Sequence, residues 1–250
     1  MSFCVIGGLE MGQVQELPID IDSLIDEIQT HPVNTNEFFR IFKVKQLSPR
    51  ELRVFIRQYH YFCFQFVKVL EGLLYHTPIE QVEMRTELAK TLYSELGSGS
   101  PERVHIRQLE RFAHSIGLHP RDLEDTEPIP EVTQYLDTLR HLFSGPSHLT
   151  ALGAELAVET TAISEFQYFF RGLQQYGHFD RRDLAFFELH MAEEEVHGEW
   201  LIEAVRRTAK SEEDLYEVAI GARTAADAWL EFWDGMYRAV FDANPSEVFN

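Results

Sequence analysis

Apolar positions recur along most of this chain at the three-to-four-residue spacing of amphipathic helices, and no stretch shows the strict alternation of a half-buried strand. Residues 1–17 have no clear period and read as a loose N-terminal segment. Two short helices are expected over 20–31 and 36–44, broken by Pro32. Ser48-Pro49-Arg50-Glu51 joins a serine cap, a proline at the first helical position and a glutamate at the third, so a long helix should open there. It runs through Tyr59, Phe62 and Leu70 to about His76. Thr77-Pro78 restarts a helix to Glu95 or Leu96, and Gly97-Ser98-Gly99-Ser100-Pro101 interrupts it.

A helix over 102–116 follows, stopped by Gly117. The three prolines and many acids of 119–130 make the longest expected loop. Helices are then predicted over 131–143, from the Ser147 cap to Tyr176, from the Asp180 cap to about Ala209, and from Ser211 to Phe241. The pattern predicts an all-α fold, a single helical domain over 1–250 with about seven or more helices and no internal repeat.

Charge narrows the partners. Forty-one acidic residues against 22 basic ones give a formal net charge of −19. Such a field repels nucleic acid and anionic membrane, so neither is expected as a partner. No apolar run reaches transmembrane length, and the first residues lack a basic, then apolar, signal-peptide pattern. Cys4 and Cys63 are too few for a disulfide framework, so reduced thiols and a cytoplasmic location are expected.

Candidate chemistry centres on His190-x3-Glu194-x2-His197. At 100° per residue the three side chains fall within roughly 60° of one another on one helical stripe. Imidazole and carboxylate together suit a divalent metal such as iron, manganese or zinc. Glu95 ends its helix before the glycine-rich turn, His105 follows ten residues later, and Glu159 sits in an apolar or small-residue stretch. A charge on such a face is costly unless paired or bound to a metal. The bland alternatives are a solvated Glu95, an ordinary first-turn His105, and a Glu159 paired with Arg171 or Arg182. His60 and the remaining histidines read as surface or core residues.

Ser94-Glu95-Leu96-Gly97-Ser98-Gly99 with His105, Leu156-Ala157-Val158-Glu159, and His190-x3-Glu194-x2-His197 together resemble the haem-oxygenase-like diiron oxidases and oxygenases. That family is related in fold to the TenA thiaminases and PqqC, and the resemblance spans about residues 35–240. It departs at position 194, where the family usually has Asp. The resemblance implies a haem-oxygenase-like bundle holding two Fe(II)/Fe(III) ions and no haem. Glu95, His105 and His197 would serve mainly one iron, His190 and Glu194 the other, and Glu159 would bridge.

It also implies O2 as co-substrate, a peroxo-diferric intermediate, and a small-molecule substrate such as a free, even tryptophan-like, amino acid. The outcomes would be N-oxygenation, C–C cleavage or nitrile formation, with an external electron donor. Phe166 and Phe169 are candidates to line a substrate pocket, with Arg171, Arg182 or Arg107 for a substrate carboxylate. Long helices with aromatic faces are compatible with a homodimer. Two other readings stand beside this one: a metal-independent TenA- or PqqC-like enzyme with Cys63 as nucleophile, and a non-enzymatic helical interaction protein.

Overall fold

The computed structural model describes residues 20–242, with only the helical backbone described at 192–197. Ten α-helices follow one another: α1 (Ile21–Gln29), α2 (Glu37–Phe42), α3 (Pro49–His76), α4 (Val82–Glu95), α5 (His105–Ser115), α6 (Pro120–Glu124), α7 (Pro130–Phe143), α8 (His148–Gln174), α9 (Ala185–Thr208) and α10 (Glu212–Tyr237). The described residues contain no strand. The all-α expectation stands.

Caps fix most starts where the sequence placed them. The Asp20 carboxylate accepts from the Ser23 N–H at 2.9 Å to open α1. At α3 the Ser48 hydroxyl accepts from Glu51 N–H at 3.3 Å, and the Glu51 carboxylate accepts from Ser48 N–H at 2.6 Å. Ser211 and Asp214 repeat this reciprocal cap at α10.

Several boundaries differ from the sequence expectation. The segment 119–130 is not one loop: Pro120–Glu124 is a short helix, because His119 N–H donates to Asp122 and Pro120 occupies the first helical position. Thr77, ahead of Pro78, is extended, so α4 begins only at Val82 after a turn closed by Gln81 N–H to Pro78 C=O. Pro101–Arg103 forms a 3-10 turn, which delays α5 to His105. Asp180 caps a turn rather than α9, accepting from the N–H groups of Arg182 and Asp183, and α9 begins at Ala185. At the other end of the chain α10 widens into a π turn over Arg238–Asp242.

Helix α8 is the axis of the bundle, packed on α9 and α10, while α7 joins α10 to α3 and α5 rests on α3 and α9. The α8–α10 crossing is close. A Cβ added to Gly153 would run into the Val218 carbonyl, and one added to Gly221 into the Thr150 carbonyl. Only glycine at both positions lets the two backbones meet.

One end of the bundle is an aromatic core. Phe38, Phe39, Phe42, Phe55, Phe169 and Trp233 are essentially inaccessible. Their rings meet at 4.6 Å (Phe39–Trp233), 5.0 Å (Phe38–Trp233) and 5.8 Å (Phe42–Phe169, nearly perpendicular). Burying side chains of this size stabilises the fold by about 1.5–3 kcal/mol each. α8 contributes Phe169 to this core and, in its preceding turns, carboxylates to a different neighbourhood.

Candidate metal centre

Glu95 is the last residue of α4, and the chain must reverse at once to bring α5 back beside it. Gly97 (φ 85°), Ser98 (φ 52°) and Gly99 (φ 84°) supply a left-handed turn. A side chain at Gly97 would also strike the backbone of Ser100 and Val104. The reversal places His105, first residue of α5, with its Nδ1 3.1 Å from Glu95 Oε1. His190 of α9 reaches the same oxygen with Nε2 at 3.8 Å. Ligand atoms of Glu95, His105 and His190 all lie within 4.8 Å of one another, an oxygen and two nitrogens converging on one point. That donor set and spacing fit a single divalent iron.

The surroundings prepare the donors. His190 Nδ1 donates to the Phe186 carbonyl at 2.7 Å, which leaves Nε2 with its lone pair toward the centre. Phe166 stacks on the His190 ring at 4.3 Å and Phe186 tilts against it at 4.2 Å, so the imidazole can neither swing nor reach water freely. Burial alone would raise the Glu95 carboxyl, yet hydrogen bonds and charge from His105 and His190 hold it well below the usual carboxylate range. It stays anionic, as a ligand must.

Glu159 of α8 is 4% exposed and lines the same cavity. One turn earlier lies Glu155, fully buried, with no hydrogen-bond donor from described residues on either oxygen. Burial, then the Glu159 and Glu95 charges, push its carboxyl well above the ordinary range. A carboxyl buried against a second carboxyl keeps its charge only beside a counter-charge and otherwise holds a proton. Carboxylates suit iron, so Glu159 on the same cavity adds to the donor set that Glu95, His105 and His190 offer.

Of the six residues expected from the sequence, the structure brings Glu95, His105 and His190 together and sets Glu159 on the same cavity. Glu194 and His197 belong to α9, but their side chains lie outside the described residues.

The substrate candidates fare differently. Phe166 lines the cavity, whereas Phe169 is sealed in the aromatic core. Arg171 and Arg182 are exposed and away from it, and so is Arg107. They followed the helix surface, not the bundle axis. Sequence reasoning missed Glu155 and Glu165 altogether. Both are acids in the same apolar α8 stretch, and the cost argument that marked Glu159 applies equally to them.

A cavity of about 60 Å³ opens beside the donors, room for about four waters. Cys63 faces it. Burial, with the charges of Glu95 and Glu165, pushes the thiol well up, so it stays protonated.

With this geometry, the class of protein follows from comparison. The chain belongs to the family of iron-containing redox enzymes, whose profile matches residues 53–230. Among solved structures, a domain with a haem-oxygenase-like fold from Shewanella denitrificans OS217 superposes with a TM-score of 0.69 at 14% identity. That match covers 87% of this chain and 89% of the other, and the fold expected from the sequence is the fold observed.

Two relatives then narrow the setting. The 4-chloro-allylglycine synthase of Streptantibioticus cattleyicolor is 24% identical over 88% of this chain and 83% of its own. A 4-aminobenzoate synthase of Chlamydia pneumoniae is 23% identical over 84% of this chain and 87% of its own. No described helix is long and apolar enough to cross a membrane.

Proposed function

We propose that this iron-containing redox enzyme is a non-haem diiron oxidase or oxygenase that uses O2 on a small amino-acid-like metabolite. The observation that carries the reading is the convergence of Glu95, His105 and His190 within 4.8 Å beside the buried Glu155–Glu159 pair. Glu95, His105 and His190 would hold one ion. Glu159, with Glu155 and the α9 residues Glu194 and His197, would hold a second. When bound, iron supplies the electrons for O2 reduction, and an external donor would restore them.

The chain's own groups do the rest. The Phe186 carbonyl fixes the His190 tautomer, Phe166 and Phe186 keep water from that ring, and the cavity confines the substrate beside the donors. Both relatives are named for products that carry an amino group, which supports an amino-acid-like substrate. The thiaminase-type alternative is disfavoured, because a nucleophilic cysteine needs a lowered thiol pKa and Cys63 has the reverse.

Anaerobic Fe(II) titration followed by an O2 pulse tests the reading. Uptake of about two ions per chain, with O2 consumed in proportion, is expected. Absence of uptake, or uptake indifferent to His105→Ala and Glu159→Ala, would overturn it.

A further inference from the structure

Among the described residues, the cavity beside the metal donors is lined by three acids. Glu95 and Glu159 line it near the proposed metal positions, and Glu165 lines it on the side of α3 and α10. No lysine or arginine among the described residues contributes to its wall. Glu165 is 2% exposed. Its Oε1 accepts from the Tyr59 hydroxyl at 2.7 Å and its Oε2 from the Trp229 indole N–H at 3.1 Å. No described basic side chain pairs with it. Aromatic faces of Phe62, Tyr135 and Trp229 complete this part of the wall.

A buried carboxylate held by two neutral donors and ringed by aromatic faces is the chemistry that receives an ammonium group. The carboxylate supplies the counter-charge and the ring faces add cation–π attraction. Glu165 stands outside the donor group of Glu95, His105 and His190. The exposed positions of Arg107, Arg171 and Arg182 remove the alternative of a cationic pocket for a substrate carboxylate. At the Glu165 end of the cavity, a substrate carboxylate would meet no described lysine or arginine.

We propose that Glu165 anchors the ammonium group of a primary-amine substrate and makes the cavity select amines over carboxylates. The proposal rests on the metal reading only in placing that amine beside the iron; the recognition itself belongs to Glu165. Without ligand, burial pushes the Glu165 carboxyl up to about 8 despite the Tyr59 and Trp229 hydrogen bonds. An arriving ammonium therefore displaces a proton, with Tyr59, Cys63 and Tyr135 the other titratable groups around it.

The test is calorimetric titration of anaerobic Fe(II)-loaded protein with charge-opposed probes of matched size: butylamine against butyrate, and 2-phenylethylamine against 3-phenylpropionate. Amines should bind at least about tenfold more tightly. Binding near pH 7 should release a proton, seen as a dependence of the heat on buffer ionisation. Glu165→Gln, which keeps the shape and one acceptor, should lose most of the amine preference and the proton release while Fe(II) uptake is unchanged. Glu165→Asp should keep part of both. Equal binding of amines and acids, or an undiminished amine preference in Glu165→Gln, would overturn the proposal. Failure of the metal reading would show separately as absent Fe(II) uptake, with the amine preference still measurable on the metal-free chain.

Discussion

Helix α8 passes through two neighbourhoods that obey opposite rules. Around Phe169 every contact is apolar: six large rings exclude water and each helps hold the others. Around Glu155, Glu159 and Glu165 the same helix buries three carboxyls, and desolvation opposes every charge it places there. The first region is stable because its side chains prefer each other to water. The second is tolerated because the first, and the glycine-mediated α8–α10 contact, hold the helix in place. Glu155 and Glu165 accordingly keep their protons to higher pH than exposed carboxyls do. Stability and function are thus drawn from different faces and turns of one helix, with Glu165 about one turn and Glu155 about four turns before Phe169.

The largest expected effect breaks the apolar side. Phe169→Ala should cost about 3–5 kcal/mol in denaturant unfolding, while the folded fraction still takes up Fe(II) with unchanged stoichiometry. A matching loss of metal per folded chain would show that the regions are not separable.

Next comes a buried polar group outside both regions. His60 on α3 is 7% exposed, with neither ring nitrogen hydrogen-bonded and Glu110 3.8 Å away. Burial pulls it down to about 4. Between pH 6.5 and 4 the unfolded chain takes up a proton that the folded chain refuses, so stability falls as pH falls, by up to about 3 kcal/mol. His60→Phe should flatten that limb of the stability–pH curve and leave the curve above pH 7 unaltered.

A smaller change should have the opposite sign on the polar side. Glu155→Gln removes one of two facing acids, so the metal-free chain should gain on the order of 2 kcal/mol in thermal or chemical unfolding. The same variant should gain less from added Fe(II) than the wild type does. Destabilisation of the metal-free chain instead would mean that the pair is settled by a shared proton and does not await a cation.

The sequence made the helices legible because capping residues and apolar spacing act locally: Ser48 and Ser147 cap where they were expected to, and the helices expected from Asp20 and Ser211 start beside those residues. What it blurred were segments decided by short-range competition, such as the Pro120 helix inside an apparent loop and the Asp180 turn ahead of α9. Within the candidate site, Glu95, His105 and His190 were readable from residue type and the glycine-rich reversal. Glu155 and Glu165 were not singled out, because which acids of α8 face inward depends on where α3, α7 and α10 pack. Arg171 and Arg182, named as candidates by elimination, are exposed.

The most direct test of a two-metal centre is anomalous scattering at the iron edge from crystals grown anaerobically with Fe(II). Two difference peaks are predicted, one among Glu95, His105 and His190 and a second beside Glu159 and Glu155. A single peak would reduce the centre to a mononuclear one, and no peak in this cavity would contradict the account.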